Sequence, residues 1–243
     1  METGKTKMKR LIYIVAINFE VQDYAKKTWE YYCKKYGFDF KIIDTPSREN
    51  MAPHWERYTV FERFDDYDEY IYVDADAMVR WDSPNFFEML SEDKLYAVKD
   101  LGSLEWVYNG IKGYKDLFPN ADVNWFEYFT TGFLKFSQTH KSLFNGFIQF
   151  HDENSKVIND KQYVSLRKGF DQTPFNYFVR RENCEYELLP EIYSLGHLVK
   201  KDILYNGMFM EIGWIWQFNG VPHEQRLSIM KQIWEHSKEK YSL

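Results

Sequence analysis

Between Leu11 and Asp76 the chain alternates two hydrophobic periods, and few folds accept that alternation. Leu11–Ile17 (LIYIVAI) is a continuous apolar run, the mark of a strand buried on both faces. Val21–Tyr36 then sets Tyr24, Ala25, Thr28, Trp29, Tyr32 and Cys33 at spacings of three and four, the stripe of a helix that Gly37 ends. Phe38–Ile43 predicts a second strand closed by Thr45-Pro46-Ser47, and Pro53–Phe64 a second helical stretch. Glu69–Val73 (EYIYV) predicts a third strand, with Asp74-Ala75-Asp76 at its carboxyl end. Such an order opens a doubly wound α/β sheet, in which crossovers are right-handed and ligands gather beyond the carboxyl ends of the strands.

Further on the pattern loosens. Asp100–Tyr128 scatters Gly102, Gly110, Gly113 and Pro119 among aromatics and reads as long loops, of the kind that serve as lids or binding loops. Phe129–Ser137 predicts a strand, Thr139–Asp152 a helix and Asp171–Arg181 a short helix. Tyr186–Leu189 and Ile212–Trp216 read as strands, and Pro222–Lys238 as a terminal helix with Leu227, Met230, Ile233 and Trp234 on one side. No repeat or linker divides the chain. One Rossmann-like α/β domain over residues 1–243 is expected, with a mixed, mainly parallel sheet flanked by helices and a flexible tail at 1–9.

Composition excludes several classes. A chain of 243 residues, 44% hydrophobic, buries a core without disulfide or metal staples. Its 31 basic against 37 acidic residues, net −6, argue against nucleic acid as a partner. Twenty Phe, 19 Tyr and 8 Trp demand burial or a partner and rule out disorder. Among those rings Trp106, Tyr108, Trp125, Phe126, Tyr128, Trp214 and Trp216 fall in or near the expected loops, where a ligand can stack, although core packing is the commoner use. Cys33 and Cys184 make no disulfide framework and read as thiols in a reducing compartment. No run approaches the ~18 apolar residues of a membrane span, and the basic start precedes too short an apolar run for a signal peptide. A cytoplasmic protein without an integral membrane segment is expected.

Asp74 and Asp76 carry the most chemistry. In an extended segment residues i and i+2 point the same way, so both carboxylates would face one side and Ala75 the other. Paired like charges repel unless a cation sits between them, and carboxylate oxygens are hard ligands suited to Mg²⁺ or Mn²⁺. The competing reading is a solvated acidic loop, since Asp65, Asp66, Asp68 and Asp82 are close in sequence.

The flanking residues add to this. His54-Trp55-Glu56-Arg57, followed by Tyr67-Asp68-Glu69-Tyr70-Ile71-Tyr72-Val73-Asp74-Ala75-Asp76-Ala77-Met78-Val79, resembles the nucleotide-sugar glycosyltransferases of GT-A fold. More narrowly it is similar to the retaining galactosyl-, mannosyl- and xylosyltransferase group, and more distantly to the glycogenin group. Thr130-Thr131-Gly132-Phe133-Leu134 resembles their Asn-x-Gly strand, and Asp171-Gln172 with Leu188-Leu189-Pro190 their Asp-Gln and Leu-Leu-Pro segments. Gln217-Phe218-Asn219-Gly220 with Arg226 resembles their His-Phe-x-Gly…Arg close, so the likeness spans about residues 11 to 234.

The resemblance implies a GT-A domain that moves a sugar from a nucleotide-diphosphate donor, a UDP-sugar above all, to a hydroxyl of a saccharide or other glycan acceptor, with retention. It implies Mn²⁺, with Mg²⁺ as the alternative, bridging the two phosphates as charge builds on the leaving group. Asp74 would touch metal and ribose and Asp76 would be the firmer metal ligand, while Ala16, Ile17 and Asn18 would take the nucleobase. Asp74, Ala75, Thr131, Gly132, Asn219 and Gly220 would line the donor site, with Asp171 and Gln172 as catalytic residues against the transferred sugar. Arg57 would pair with phosphate or with a nearby acid; its other reading is a surface salt bridge. Asp171 also reads as a helix N-cap ahead of Thr173-Pro174.

Two departures stand out. Gln217 occupies the place of the family's third metal ligand, a His; its amide oxygen is a hard but neutral donor, and His223 or a water are the alternatives. Thr130 and Thr131 replace the Asn before Gly. An inactive nucleotide-sugar-binding protein and a nucleotidyltransferase therefore stand beside the enzyme, the latter without a Gly-rich phosphate loop in the chain. Retention needs no dedicated base; inversion would call on Asp100, Asp152 or Asp171.

Overall fold

The computed structural model describes residues 8–18, 23–49, 51–100, 102–196 and 207–241, the side chains of 240 and 241 excepted. Among these the strands, in chain order, are β1 (Arg10–Val15), β2 (Asp39–Ile43), β3 (Glu69–Asp74), β4 (Ala77–Val79), β5 (Leu95–Lys99), β6 (Phe129–Ser137), β7 (Tyr186–Leu189) and β8 (Ile215–Gln217). The α-helices are α1 (Asp23–Tyr36), α2 (Val60–Arg63), α3 (Phe86–Met89), α4 (Leu104–Tyr114), α5 (Lys141–Asp160), α6 (Gln172–Arg181), α7 (Phe209–Ile212) and α8 (His223–Tyr241). Six strands form one sheet in the order β2-β1-β3-β6-β5-β7, while β4 and β8 form a separate antiparallel ladder. The pairs β1–β2, β1–β3 and β5–β7 are parallel, whereas β6 runs antiparallel to both of its neighbours.

The continuous apolar run at the start is a central strand with two buried faces, as its composition requires. Leu11, Tyr13 and Val15 point into one core and Ile12 and Ile14 into the other. The first core is largely aromatic: Trp55, Tyr58, Phe61, Phe144, Phe147 and Phe175 lie against Tyr70, Tyr72 and Phe136 of the sheet. Opposite it, Trp29 and Tyr32 of α1 pack with Phe86, Ile71 and Val73. A third cluster joins α8, through Met230 and Ile233, to Met78 and Trp216 of the β4–β8 ladder. Cys33 is buried, Cys184 half-buried, and both are free thiols.

Several elements depart from the sequence expectation. The stretch 100–128, read as loops, contains α4, capped by Ser103, whose hydroxyl accepts from the Trp106 N–H at 3.4 Å. Its glycines are packing sites: a Cβ on Gly110 would stand 2.9 Å from Thr173 Oγ1, and one on Gly113 2.4 Å from Leu166 Cδ2. β5 is too short and too evenly apolar to show a period. α5 runs past Asp152 to Asp160 and continues as a π-turn to Ser165. Ile212 ends the short helix α7, and the strand expected from it begins at Ile215. Residues 1–7 of the expected tail and residues 21 and 22 of the expected first helix lie outside the described residues.

β6 changes character along its length. Ala97 of β5 pairs with Leu134 but Val98 pairs with Thr130, so residues 131–133 bulge out of the β5 ladder. At its far end Lys135, fully buried, is ion-paired to Glu69 at 2.8 Å, and Glu69 also meets Arg10 at 2.8 Å.

Just beyond, His140 Nδ1 accepts from the Ser137 N–H at 3.3 Å, and burial pushes the imidazole down to about 4. The folded value lies below the ordinary His value, so the neutral ring's contribution is complete above pH ~6.5 and is lost as pH falls toward ~4. Of the wild-type loss in unfolding free energy between pH 7 and pH 5, about 2 kcal/mol is assigned to this ring. Urea titrations of His140→Gln at the two pH values should lack that share; a slope equal to wild type would assign the effect elsewhere.

Candidate active site

β3 ends at Asp74, and Ala75 and Asp76 form the turn into β4. The strand alternation expected for this triplet therefore stops at its first residue. Because the chain turns there, Ala75 does not face away: Asp74, Ala75 and Asp76 all line one cleft. The Asp74 Oδ1 accepts the Tyr72 hydroxyl at 2.7 Å and stands 3.3 Å from Arg57 Nη1. Asp76 Oδ2 is 3.1 Å from Arg226 Nη1. Burial and then the Asp74 charge raise the Asp76 carboxyl to about 6, against the opposing pull of Arg226.

Arg57 is the centre of the site and no surface residue. Its Nη1 donates to the Thr131 carbonyl at 2.7 Å and to the Thr131 hydroxyl at 3.2 Å, and its Nε to the His54 carbonyl at 2.9 Å. Asp171 Oδ2 lies 3.5 Å from Nε, and the guanidinium carbon 4.5 Å from the centre of the Tyr72 ring. Burial opposes its charge, but the neighbouring carboxylates, Asp171 foremost, hold it above its ordinary range.

Asp171 precedes α6 at the capping position, yet its side chain does not cap the helix. Oδ2 instead accepts the Tyr58 hydroxyl at 2.8 Å and the Thr131 hydroxyl at 3.2 Å. Burial keeps both Tyr58 and Tyr72 protonated, so each remains a donor to its carboxylate. Gln172 donates to Asp100 Oδ2 at 2.8 Å, while Asp100 Oδ1 accepts the Gly102 N–H at 2.7 Å.

Two hollows meet at these residues. A cleft of about 440 Å³ runs along Ile17, Asn18, Pro53, His54, Tyr72 and Asp76. A chamber of about 360 Å³ holds Asp100, Trp106, Thr131, Gly132, Asp171, Gln172 and Asn219. Arg57 and Asp74 line both. The first hollow opens beyond the carboxyl ends of β1 and β3, where the topology places ligands.

Whether a divalent cation suits this place is decided at Gly132. A Cβ there would fall 2.4 Å from Gln217 Nε2 and 2.6 Å from Asp74 Oδ2, so only glycine leaves the space between them open. Gln217 is buried, and its Nε2 has no hydrogen-bond partner. Turning that amide over presents an oxygen instead, and amide orientation is fixed only by such partners. The ladder pairs Gln217 with Ala77, next to Asp76, and the Phe218 N–H donates to the Asp76 carbonyl at 3.1 Å. Two carboxylates and an amide oxygen are hard donors, so the residues fit Mn²⁺ or Mg²⁺. Among the described residues no three His, Cys, Asp or Glu side chains gather to hold a metal.

Other expected positions lie outside the two hollows. His223 is exposed at the start of α8, Gly220 (φ +77°) has nothing near its open side, and Ala16 is buried with its N–H donating to the Ile43 carbonyl. Asp152, weighed as a base, stands on α5 and pairs with Arg48 and His151. Tyr58, Tyr72 and His54 are site residues that the sequence reading did not single out. Only their neighbours in the Trp-x-Arg and Asp-x-Asp stretches pointed to them.

No protein-family model matches the chain, and no curated protein sequence does. Solved structures do match it. A glycosyltransferase involved in the glycosylation of the major capsid of PBCV-1 aligns with a TM-score of 0.56 and 12% identity, over 92% of this chain and 99% of that one. The apo structure of the bifunctional glycosyltransferase WbbM aligns at 0.54 and 14%, over 90% of this chain and 47% of its own. The galactosyltransferase LgtC, in complex with donor and acceptor sugar analogs, aligns at 0.53 and 13%, over 94% and 99%. The fold is the GT-A fold of these three. Among the described residues, no helix is long and apolar enough to cross a membrane.

Proposed function

We propose that the chain is a glycosyltransferase that uses a nucleotide-diphosphate sugar, a UDP-sugar first, and transfers the sugar to a hydroxyl of a saccharide or other glycan. The observation that carries this is the shared wall: Arg57 and Asp74 line both hollows, so a ligand spanning the two would have its middle at these side chains. In this reading the nucleoside diphosphate occupies the cleft of Ile17, Asn18 and Ala75, and the sugar lies against Thr131, Gly132, Asp171 and Gln172. Asp74, Asp76 and Gln217 would hold Mn²⁺ or Mg²⁺, which when bound offsets the charge growing on the diphosphate.

The chain's own residues orient the rest. Tyr58, Thr131 and Arg57 converge on one oxygen of Asp171 and fix its carboxylate beside the sugar. The bond from the anomeric carbon to the phosphate oxygen breaks, the acceptor oxygen bonds to that carbon, and the acceptor proton passes to the departing phosphate. Retention fits this proton path, which needs no dedicated base on the chain. Of the residues that inversion would call on, Asp152 stands on α5 with Arg48 and His151, while Asp100 and Asp171 line the chamber.

Incubating the protein with UDP-glucose, UDP-galactose and GDP-mannose, with Mn²⁺ or with EDTA, tests the reading. Slow metal-dependent release of free sugar and nucleoside diphosphate from at least one donor is expected. Metal-dependent binding of a donor without release would favour an inactive nucleotide-sugar binder, and neither binding nor release would sink the proposal.

A further inference from the structure

The turn that delivers Asp171 is built from left-handed residues. Arg167 has φ +55°, Gly169 φ +79° and Phe170 φ +34°. Glycine at 169 is required twice over: by its φ, and because a Cβ would stand 2.6 Å from Thr173 Oγ1 and 2.8 Å from the Tyr114 ring. Phe170 has no such licence. A bulky residue at positive φ is strained, and such strain persists where the surroundings impose it and function uses it.

Burial does not compensate. Phe170 is 38% exposed, and its ring meets His54 and Tyr163 edge-on, at 5.6 Å and 6.4 Å between ring centres. A residue kept for packing would lie deeper, and a residue kept for the turn would be Gly or Asn. Phe170 instead lines the 360 Å³ chamber, as do Trp106 and the hydrogen-bonded pair Asp100 and Gln172. Aromatic faces beside fixed hydrogen-bonding groups match one ligand chemistry well. A pyranose ring presents apolar C–H bonds on one face and hydroxyls at its rim.

We infer that Phe170 is a specificity-determining residue: with Trp106 it forms the aromatic wall for the C–H face of an acceptor pyranose, whose hydroxyls Asp100 and Gln172 engage. This rests on the glycosyl-transfer reading and narrows its acceptor to a sugar ring, as against an open-chain hydroxyl or a side-chain hydroxyl of a protein.

The test uses the full chain, methyl β-galactopyranoside and methyl α-glucopyranoside as probes, and sorbitol as a polyol without a ring face. Saturation-transfer NMR should show contact with the ring C–H protons of at least one pyranoside and none with sorbitol. Phe170→Gly and Phe170→Asn, both suited to positive φ, should weaken that binding about tenfold or more while their melting temperatures equal or exceed wild type. Three results would overturn the inference: no pyranoside contact in wild type, contact unchanged in both variants, or a clear drop in melting temperature in both, which would make the ring a packing residue. Absence of sugar release from nucleotide sugars would strike the transfer reading alone, because these pyranoside experiments need no donor.

Discussion

Asp76→Asn is expected to lower metal-dependent sugar release by about 10³-fold while leaving the fold at least as stable as wild type. The loss follows from the donor set. The amide keeps one neutral oxygen where a carboxylate would have met the cation, and interactions with charge that develops during bond breaking are the ones that set rate. Stability should not fall with it, because the fold already disfavours the ionised carboxyl, whose value burial and Asp74 raise to about 6. A raised carboxylate costs stability as pH climbs from about 4 through about 6, and the neutral amide removes that cost at pH 8. Thermal melts at pH 8 and single-turnover donor hydrolysis, run on the same preparation, check both halves. Retained activity would remove Asp76 from the reaction, and a collapse of the melting temperature would make the ion pair to Arg226 structural.

Lys135→Met should destabilise the protein by about 3–5 kcal/mol, because it strips the partner from a carboxylate that cannot reach water. Glu69 is 2% exposed and would keep only Arg10, at the start of the central strand β1 with 22% of its side chain exposed. Removing both charges together is a different matter: Lys135→Met with Glu69→Leu should recover most of the loss, since an apolar pair of similar volume avoids the desolvation that the ion pair must overcome. Urea denaturation of the two variants measures the difference. A single variant within about 1 kcal/mol of wild type would show that water or Arg10 shields Glu69 well enough.

The sequence made most of this sheet legible and little of the site's wiring. Strands buried on both faces show as continuous apolar runs, and Phe129–Ser137 has the bounds expected of it. α4 was hidden because two of its residues are glycines, and glycine signals a loop unless one knows that Thr173 and Leu166 press against it. Asp171 shows the same limit from the other side. Its position before Thr173-Pro174 reads as a cap, and the helix does begin there, but the carboxylate serves Tyr58 and Thr131, 113 and 40 residues away. Arg57 and its choice between acid partners and solvent turned on that long-range packing too. Local spacing fixes where a side chain starts; only the fold brings it to its partners.

The slip between β5 and β6 has a bearing on how such a protein can change. Register is pinned on both sides of the bulge, at Ala97–Leu134 and at Val98–Thr130, and Lys135 anchors the strand beyond it. Thr131 and Gly132 therefore belong to a short length of strand whose alteration cannot shift the alignment of the rest. One strand is thus divided between a half that holds the sheet together and a half that faces the chamber. Under the proposed transfer, exchanging Thr130 for another small polar residue would change what the chamber presents to the donor while the register of the sheet stays pinned.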